Sequence, residues 1–212
     1  ATFKERMAQV CEHYRYLSEI MQPEAFMQVC CHNSRPRYRV WEGDFEGQPI
    51  WAELLMKAGQ RKEGCLSVAI KYEGKDFYQM IFWINKDRNG NEAMYIGAMQ
   101  GPNTEESRDV IKRMTKWAYG YRTKNLILYM TQAVARELGL KKIYAVSNYG
   151  YYANNHVRAD RKLKTNFGDF WLEAGGKETE DKRFYELPLV EPRKTMEEVP
   201  TRKRAVYRRR FA

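Results

Sequence analysis

Histidine clusters, cysteine pairs and long apolar runs are what this chain has least of, and each shortage excludes a class of protein. The three histidines, His13, His32 and His156, form no HxxxH or HxE cluster, and the four cysteines include no CxxC pair. Metal sites usually need such spacings, so we expect no bound metal. No apolar run in the sequence approaches the roughly 20 residues that cross a bilayer.

We also expect no secretory signal. The first residues, ATFKERMAQV, do not place an apolar stretch after a basic one. We therefore expect a cytoplasmic protein whose cysteines are reduced and partly buried. Peripheral attachment to the inner membrane is the alternative location, because the chain is strongly basic.

Signatures of nucleic-acid-binding modules are absent as well: the sequence has no RNP, KH or helix-turn-helix pattern, which argues against sequence-specific binding. Aromatic and basic residues do alternate at 119–125, 149–152 and 206–211, a pattern that can stack bases and contact phosphates. The 15 tyrosines also serve core and interface packing. RNA therefore stays open as a partner, although the pattern does not favour it.

Positive charge is concentrated at the C-terminal end. The segment 201–212 (TRKRAVYRRRFA) holds six basic residues and no acid, in a chain whose net charge is +10. Such asymmetry indicates an acidic partner, either a protein face, a peptide or an anionic surface. The alternative is a solvated basic helix without a partner.

The remaining composition, 43% hydrophobic and 14% aromatic, is sufficient for a buried core. We expect one domain over residues 1–212, made of an N-terminal helical segment (1–35), a mixed-sheet core (36–190) and a basic tail (191–212). Apolar spacings of three and four predict a helix over 3–20, and Pro23 suits the start of a second helix. From residue 38 the alternation changes to that of strands and predicts an antiparallel meander that ends at 92–99.

The second half of the chain alternates between helices and strands. We predict helices over 105–117, 125–138 and 167–174, with Thr104 as the cap of the first, and strands over 143–146 and 184–189. This order on top of a meander predicts the α+β class, with a mixed, largely antiparallel central sheet flanked by helices.

Six segments in a fixed order resemble the bacterial VirK/YbjX family, long catalogued as of unknown function. They are IGAMQG at 96–101, TKWAYGYRTKN at 115–125, ELGLKKIYAVSN at 137–148, DFWLEAGG at 169–176, ELPLVEPRK at 186–194 and KRAVYRRRF at 203–211. EHYRYL at 12–17 and KEGCLSV at 62–68 match more loosely. The resemblance implies a bacterial setting of virulence and resistance to antimicrobial peptides.

Two positions depart from that family's pattern. Tyr119 and Tyr151 stand where the family usually has histidine. A phenol titrates near pH 10, so it is a poorer base than imidazole at neutral pH. The chain is identified as a divergent member in which these two tyrosines, together with Asn148, are the candidates for catalysis.

The order of elements from 92 to 189 is also similar to the core of the GCN5-related N-acyltransferase fold. In that fold two adjacent parallel strands separate, and the pantetheine arm of an acyl carrier lies between them. The resemblance implies acyl-CoA or an acyl carrier protein as donor. The phosphate-cradling Q/RxxGxG/A loop of that fold is absent, and the predicted helix 105–117 stands in its place.

Polar residues follow two of the predicted strands. Gln100–Gly101 end the strand 92–99, and Ser147–Asn148 end the strand 143–146, so they share an edge if the strands are neighbours. A simple turn and a loop cap are the structural alternatives. Asp169, interpreted as a helix cap, and Glu173 are alternative catalytic carboxylates.

Further residues are predicted to bind substrate or cofactor. A helix start near 123–125, flanked by two cations, offers free N–H groups to phosphate, although such cations are often only solvated. The other candidates come from the loop, the aromatic helix and the tail. The full binding set is Gln100, Gly101, Arg122, Lys124, Ser147, His156, Trp171, Lys203, Arg204, Tyr207 and Arg208.

Two functions follow from these patterns. The first is a transferase that moves an acyl or other group to an amine on a peptide, a protein or an envelope-linked molecule. The alternative is a basic binding or regulatory protein, without enzymatic activity, that engages an acidic peptide, an envelope component or RNA.

Overall fold

One mixed sheet organises the chain. The computed structural model describes residues 3–31, 36–56, 62–102, 104–151 and 166–211. Within these ranges eight strands form the sheet, in the order β1-β2-β3-β4-β5-β6-β8-β7. The strands are β1 (Tyr38–Phe45), β2 (Gln48–Leu55), β3 (Leu66–Tyr72), β4 (Lys75–Lys86), β5 (Glu92–Gln100), β6 (Lys142–Val146), β7 (Lys177–Glu178) and β8 (Phe184–Leu187).

The pairing of the strands confirms the predicted mixed, largely antiparallel sheet. Strands β1 to β5 form the expected meander, each antiparallel to the next. Strand β6 then lies parallel to β5, while β8 and β7 continue antiparallel. The two helices between β5 and β6 supply the crossover that a parallel connection requires.

Six helices flank the sheet within the described ranges. They are α1 (Phe3–Ile20), α2 (Pro23–Cys30), α3 (Glu105–Trp117), α4 (Thr123–Glu137), α5 (Phe167–Glu173) and α6 (Thr201–Phe211). Thr104 caps α3 as predicted, because its side chain accepts from the Ser107 N–H in a capping box. Gly139, with φ of 72°, follows the end of α4. None of the described helices has both the length and the apolar character needed to cross a membrane.

Helices α1 and α4 both pack on β4 and cover one face of the sheet. Met80, Phe82 and Ile84 of β4 are fully buried in this core, together with Leu17 of α1. A polar contact fixes α1 on the sheet: the buried His13 accepts a hydrogen bond on Nδ1 from the Ile84 N–H at 3.0 Å. Burial of apolar area therefore supplies the driving force, and this contact sets the position of the helix.

The parallel pair β5–β6 ends before β5 does. Strand β6 pairs with β5 only from Ala93↔Lys142 to Ile96↔Ala145. At the next residue, Gly97, β5 carries a β-bulge, since Ile96 and Ala98 oppose the consecutive residues 82 and 81 of β4. From there to Gln100, β5 is paired with β4 alone.

The segment 62–65, which leads into β3, crosses the sheet at this bulge. A Cβ on Gly97 would lie 1.8 Å from the carbonyl oxygen of Glu63, and a Cβ on Gly64 would lie 2.6 Å from the Phe82 oxygen. The Cys65 N–H donates to the same Phe82 oxygen at 2.9 Å. Because Gly64 and Gly97 have no side chain, the backbone of 62–65 can pack directly against the backbone of β4 and β5. This contact places the Glu63 side chain at the end of β5.

The basic tail is a helix attached to the rest of the protein by one face. The Arg210 guanidinium donates to the Tyr119 carbonyl oxygen at 2.9 and 3.2 Å, and the Phe211 ring meets the Tyr121 ring edge-on with centroids 6.1 Å apart. The Tyr207 hydroxyl accepts from the Lys194 N–H at 2.7 Å. The tail is therefore neither wholly solvated nor free to move independently.

Candidate functional site

A single carboxylate joins two of the predicted site residues. Glu63 accepts on Oε1 from the Tyr151 hydroxyl at 2.8 Å and on Oε2 from the Gln100 amide at 2.8 Å. The side-chain oxygen of Gln100, Oε1, accepts in turn from the Gln79 side-chain amide at 2.7 Å. These four residues form one chain of hydrogen bonds, called here the Glu63 cluster, at the end of the parallel strand pair.

Tyr151 acts as a donor in this cluster. Burial, and after it the hydrogen bond to Glu63, raises the pKa of the Tyr151 phenol well above its usual value. The phenol therefore keeps its proton at neutral pH and does not serve as the base. The Glu63 carboxylate is the acceptor in this cluster. The two hydrogen bonds that it accepts, from Tyr151 and Gln100, fix the plane of the carboxylate.

Ser147 builds the turn that carries Tyr151. Its hydroxyl donates to the Lys182 carbonyl at 2.7 Å and accepts from the Gly150 N–H at 3.1 Å. Its own carbonyl accepts from the Tyr151 N–H at 3.0 Å. The Ser147 side chain is buried and engaged on both sides, so its contribution is to position Tyr151.

Asn148 fastens the start of α5. Its Oδ1 accepts from the Phe167 N–H at 2.8 Å, and the Phe167 ring packs edge-on against Tyr151 with centroids 5.3 Å apart. The cap of α5 is Asn166, whose Oδ1 accepts from the Asp169 N–H. The expectation that Asp169 caps this helix is therefore wrong; its carboxylate instead accepts from the Asn166 amide at 2.6 Å.

Two other predicted binding residues are structural. Trp171 is fully buried, and its indole N–H donates to the carbonyl oxygen of Val146, the last residue of β6, at 2.9 Å. Gly101 lies against Tyr78, because an added Cβ would meet that ring at 2.5 Å. The polar group of Trp171 is thus engaged, and Gly101 permits the close approach of Tyr78.

The start of α4 carries a second group of predicted residues. The Arg122 guanidinium forms an ion pair with Glu173 of α5 at 2.5 Å. The Lys124 amine lies 4.6 Å from the centre of the Phe170 ring; burial, and then the charge of Arg122, lowers its pKa. The expected pair of free cations is therefore partly engaged, and Glu173 serves as the counter-ion of Arg122. Helix α5 contacts both this group and the Glu63 cluster, the latter through Phe167.

Tyr119 lies elsewhere, in the turn between α3 and α4 next to the tail. It has a φ of 51°, and its carbonyl accepts from Arg210. Tyr119 contacts the tail, whereas Asn148 contacts the start of α5 and Tyr151 contacts Glu63. The structure therefore does not bring the three predicted catalytic residues together, and only Asn148 and Tyr151 adjoin the cluster.

The predicted tail residues divide between two faces of α6. Arg204 and Tyr207 face the protein, with the Arg204 Nε donating to the Val199 carbonyl at 3.0 Å. Lys203 and Arg208 are exposed, as are Arg202 and Arg209. His156, the remaining candidate, lies outside the described residues.

Sequence reasoning missed Glu63 and Gln79. Glu63 lies in KEGCLSV, a segment noted only for family resemblance, and no local pattern marks it as a site residue. It is 88 positions from Tyr151, and only the crossing of 62–65 over the Gly97 bulge makes them neighbours. Within the part of the chain that the structure describes, no group of three or more His, Cys, Asp or Glu side chains could hold a metal ion.

Comparisons with known proteins give one consistent result. A family described as "Protein of unknown function (DUF535)" matches residues 1–212. "Uncharacterized protein YbjX" of Escherichia coli is 29% identical over 202 residues, which cover 94% of this chain and 60% of that protein.

Two uncharacterized proteins of Haemophilus influenzae also match. One is 29% identical over 159 residues, covering 75% of this chain and 52% of that protein. The other is 24% identical over 160 residues, covering 69% and 53%. The chain thus spans between about half and three fifths of the length of the curated relatives it matches.

Proposed function

The chain belongs to the DUF535 family, which the YbjX/VirK proteins represent, and from this premise we propose that it is a transferase acting at the Glu63 cluster. The group moved is an acyl or related group, and the acceptor is an amine on a peptide, a protein or an envelope-linked molecule. One observation carries the proposal: the Glu63 carboxylate is held by Tyr151 and Gln100 where β5 and β6 part.

The arrangement of β5 and β6 supports the hypothesis of acyl transfer. The chain has the parallel neighbours that resemble the GCN5-related core, and pairing between them stops at Ile96 and Ala145 while β5 continues to Gln100. The β6-facing backbone of residues 97–100 can pair with the amides of an extended pantetheine arm, as an added strand would. The acyl thioester, on coenzyme A or an acyl carrier protein, is a co-substrate in this proposal.

Glu63 is assigned the role of base. The amine nitrogen attacks the thioester carbonyl, a C–N bond forms and the C–S bond breaks. The proton that leaves the amine goes to Glu63 and then to the departing thiolate, so charge and protons balance. Tyr151 and Gln100 are positioning residues that keep the carboxylate lone pairs aimed at one place.

Turnover with defined probes tests this assignment. The purified protein would be incubated with acetyl- to palmitoyl-CoA and a lysine-containing peptide, and the release of free thiol would be followed. We expect Glu63→Gln to lower the rate about a hundredfold or more. The matched control is Glu106→Gln, which makes the same change at an exposed residue of α3 away from the cluster.

Two results would count against the proposal, the first against the role of Glu63 and the second against the enzyme. Thiol release that is equal in wild type and Glu63→Gln, with both folded by circular dichroism, removes Glu63 as the base. No release with any thioester, together with native mass spectra that show no retained acyl group or carrier, favours the second candidate below.

The second candidate is a basic binding protein, and the outer face of α6 favours it. Arg202, Lys203, Arg208 and Arg209 are exposed there, and none has an acidic partner among the described residues. A glutamate-rich peptide is the probe. Binding that falls steeply with salt and disappears in Arg202→Gln/Arg209→Gln would support this function.

A further inference from the structure

A small cavity lies between the docked tail and α4. Its volume is about 240 Å³, and it is lined by Tyr121, Leu126, Tyr129, Arg193, Arg210 and Phe211. None of these residues belongs to the Glu63 cluster or to the outer basic face of α6. This space, called here the Arg193–Arg210 pocket, combines two cations with three aromatic rings.

Both guanidinium groups lack an acidic partner. The Arg193 guanidinium lies 4.1 Å from the centre of the Phe211 ring, and Arg210 donates Nε and Nη2 to the Tyr119 carbonyl. Within the described ranges neither arginine forms an ion pair. The adjacent carboxylate, Glu191, accepts from the Tyr121 hydroxyl at 2.6 Å. Two positive charges therefore meet at the pocket without a paired negative one.

The turn before α4 holds Arg210 in place. Tyr119 and Gly120 both have positive φ, 51° and 76°, a conformation that costs energy at Tyr119. It presents the Tyr119 carbonyl to Arg210, and a Cβ at position 120 would come within 3.2 Å of Arg210 Nη2. The guanidinium is thus fixed by backbone, which is the arrangement that lets an arginine bind an anion with little loss of side-chain entropy.

Tyr129 supplies an uncommitted ring. It is half-buried at the pocket, and no aromatic contact or hydrogen bond of the described residues involves its ring or hydroxyl. Aromatic faces beside arginines are the combination with which proteins stack a base and bind its phosphates. An acidic peptide would gain nothing from the rings, and a lipid surface would meet the outer face of α6 first.

We propose that the Arg193–Arg210 pocket binds a nucleotide, with its phosphates on the two guanidinium groups and its base against Tyr129. The site stands independently of the proposed transferase activity. Only the identification of the nucleotide with the adenosine phosphates of coenzyme A rests on that activity. In that case the pocket selects coenzyme A over an acyl carrier protein, which lacks the adenosine.

Calorimetric titration of the full chain with ADP, coenzyme A and inorganic pyrophosphate tests the site. We expect Arg193→Gln/Arg210→Gln to weaken ADP binding about tenfold or more, since charge-assisted hydrogen bonds are lost. The control, Arg202→Gln/Arg209→Gln, removes the same charge from the outer face of α6 and should change the affinity less than about twofold. Equal losses in both double variants, or no ADP binding by wild type, would overturn the proposal.

Two further variants test the base and the phosphates of the nucleotide separately, and they keep the contact between Arg210 and Tyr119. Tyr129→Leu should weaken ADP but not pyrophosphate, because only the base uses the ring. Arg193→Gln alone removes the contact with the Phe211 ring but keeps the one between Arg210 and Tyr119; wild-type resistance of 202–210 to trypsin in this variant shows that α6 is still docked when ADP affinity is compared. If neither changes ADP affinity, the nucleotide is bound elsewhere and the assignment fails. ADP binding without any thiol release would overturn the transferase while leaving this site standing.

Discussion

The Tyr151 hydroxyl donates a 2.8 Å hydrogen bond to Glu63, which lies 88 positions earlier in the chain. It ties the turn after β6 to the segment that crosses β5. Because burial and this hydrogen bond raise the pKa of the phenol, Tyr151 keeps its proton at neutral pH and acts as the donor. Removing the Tyr151 hydroxyl therefore removes the donor of this hydrogen bond, and the effect on the free energy of unfolding can be measured.

Tyr151→Phe should lower the free energy of unfolding by about 1 kcal/mol, since one partly buried hydrogen bond is lost and the ring is kept. Urea unfolding gives the value. Combined with Glu63→Ala, the two changes should be non-additive, because they remove the same contact. Tyr149→Phe, at a residue that is 72% exposed, should have an effect within about 0.5 kcal/mol. Strict additivity of the first pair would show that the contact does not stabilise the fold.

Gly97→Ala should displace the segment 62–65. The added Cβ would lie 1.8 Å from the Glu63 carbonyl oxygen, and both atoms are attached directly to backbone. We expect a loss of about 2 kcal/mol or more in urea unfolding. Gly47→Ala is the comparison, because its Cβ meets nothing within 4 Å and only its φ of 75° opposes the change. If Gly97→Ala lost less free energy of unfolding than Gly47→Ala, the close contact between Gly97 and the backbone of 62–65 would be contradicted.

The stability of the protein should fall in mild acid because of His13. Burial lowers the pKa of His13 from 6.5 to about 4 in the folded chain, so the unfolded chain binds a proton first as the pH falls. The stabilisation is complete above pH 6.5 and is lost on the way down to pH 4, by about 3 kcal/mol. Urea unfolding at several pH values measures this loss. His13→Gln should be less stable at pH 7 and should show a shallower decline than wild type; parallel curves would refute the assignment.

Phe211→Ala should loosen the tail without removing a basic residue. The ring contacts Tyr121, Tyr207 and the Arg193 guanidinium, so its loss removes much of the docked face. Trypsin should then cleave within 202–210 about ten times faster than in wild type, as followed by mass spectrometry. Val206→Ala, on the exposed side, should leave the rate nearly unchanged. Equal rates in all three proteins would mean that α6 is not held by this contact.

Much of the fold could be predicted from local patterns, because meander strands and the flanking helices carry their own periodicity. Thr104 was a recognisable cap, since its partner lies three residues away. The sequence alone suggests Asp169 as the cap of α5, where the structure has Asn166, because both residue types suit that role and only the geometry distinguishes them.

The candidate site was harder to predict, because it depends on contacts between distant segments. Alternation along β5 would place Gln100 on the same face as Met94 and Ile96. The bulge at Gly97 reverses this, so Gln100 shares a face with Gln79 and reaches Glu63. No local pattern reveals a bulge of this kind, and none indicates that the Tyr119 carbonyl is engaged by the tail.

The Gly97 bulge also means that β5 carries one residue more than its ladder with β4 uses. Deleting Gly97 would leave Ile96 opposite Phe82 and Ala98 opposite Ile81, with each side chain still on its present face. Inserting a residue after Ala98 would instead shift Met99 and Gln100 out of register with Met80 and Gln79 of β4. Removing one residue from β5 should therefore disturb the sheet less than adding one. A deletion of Gly97 would remove the bulge while keeping the pairing of β5 with β4 on both sides of it.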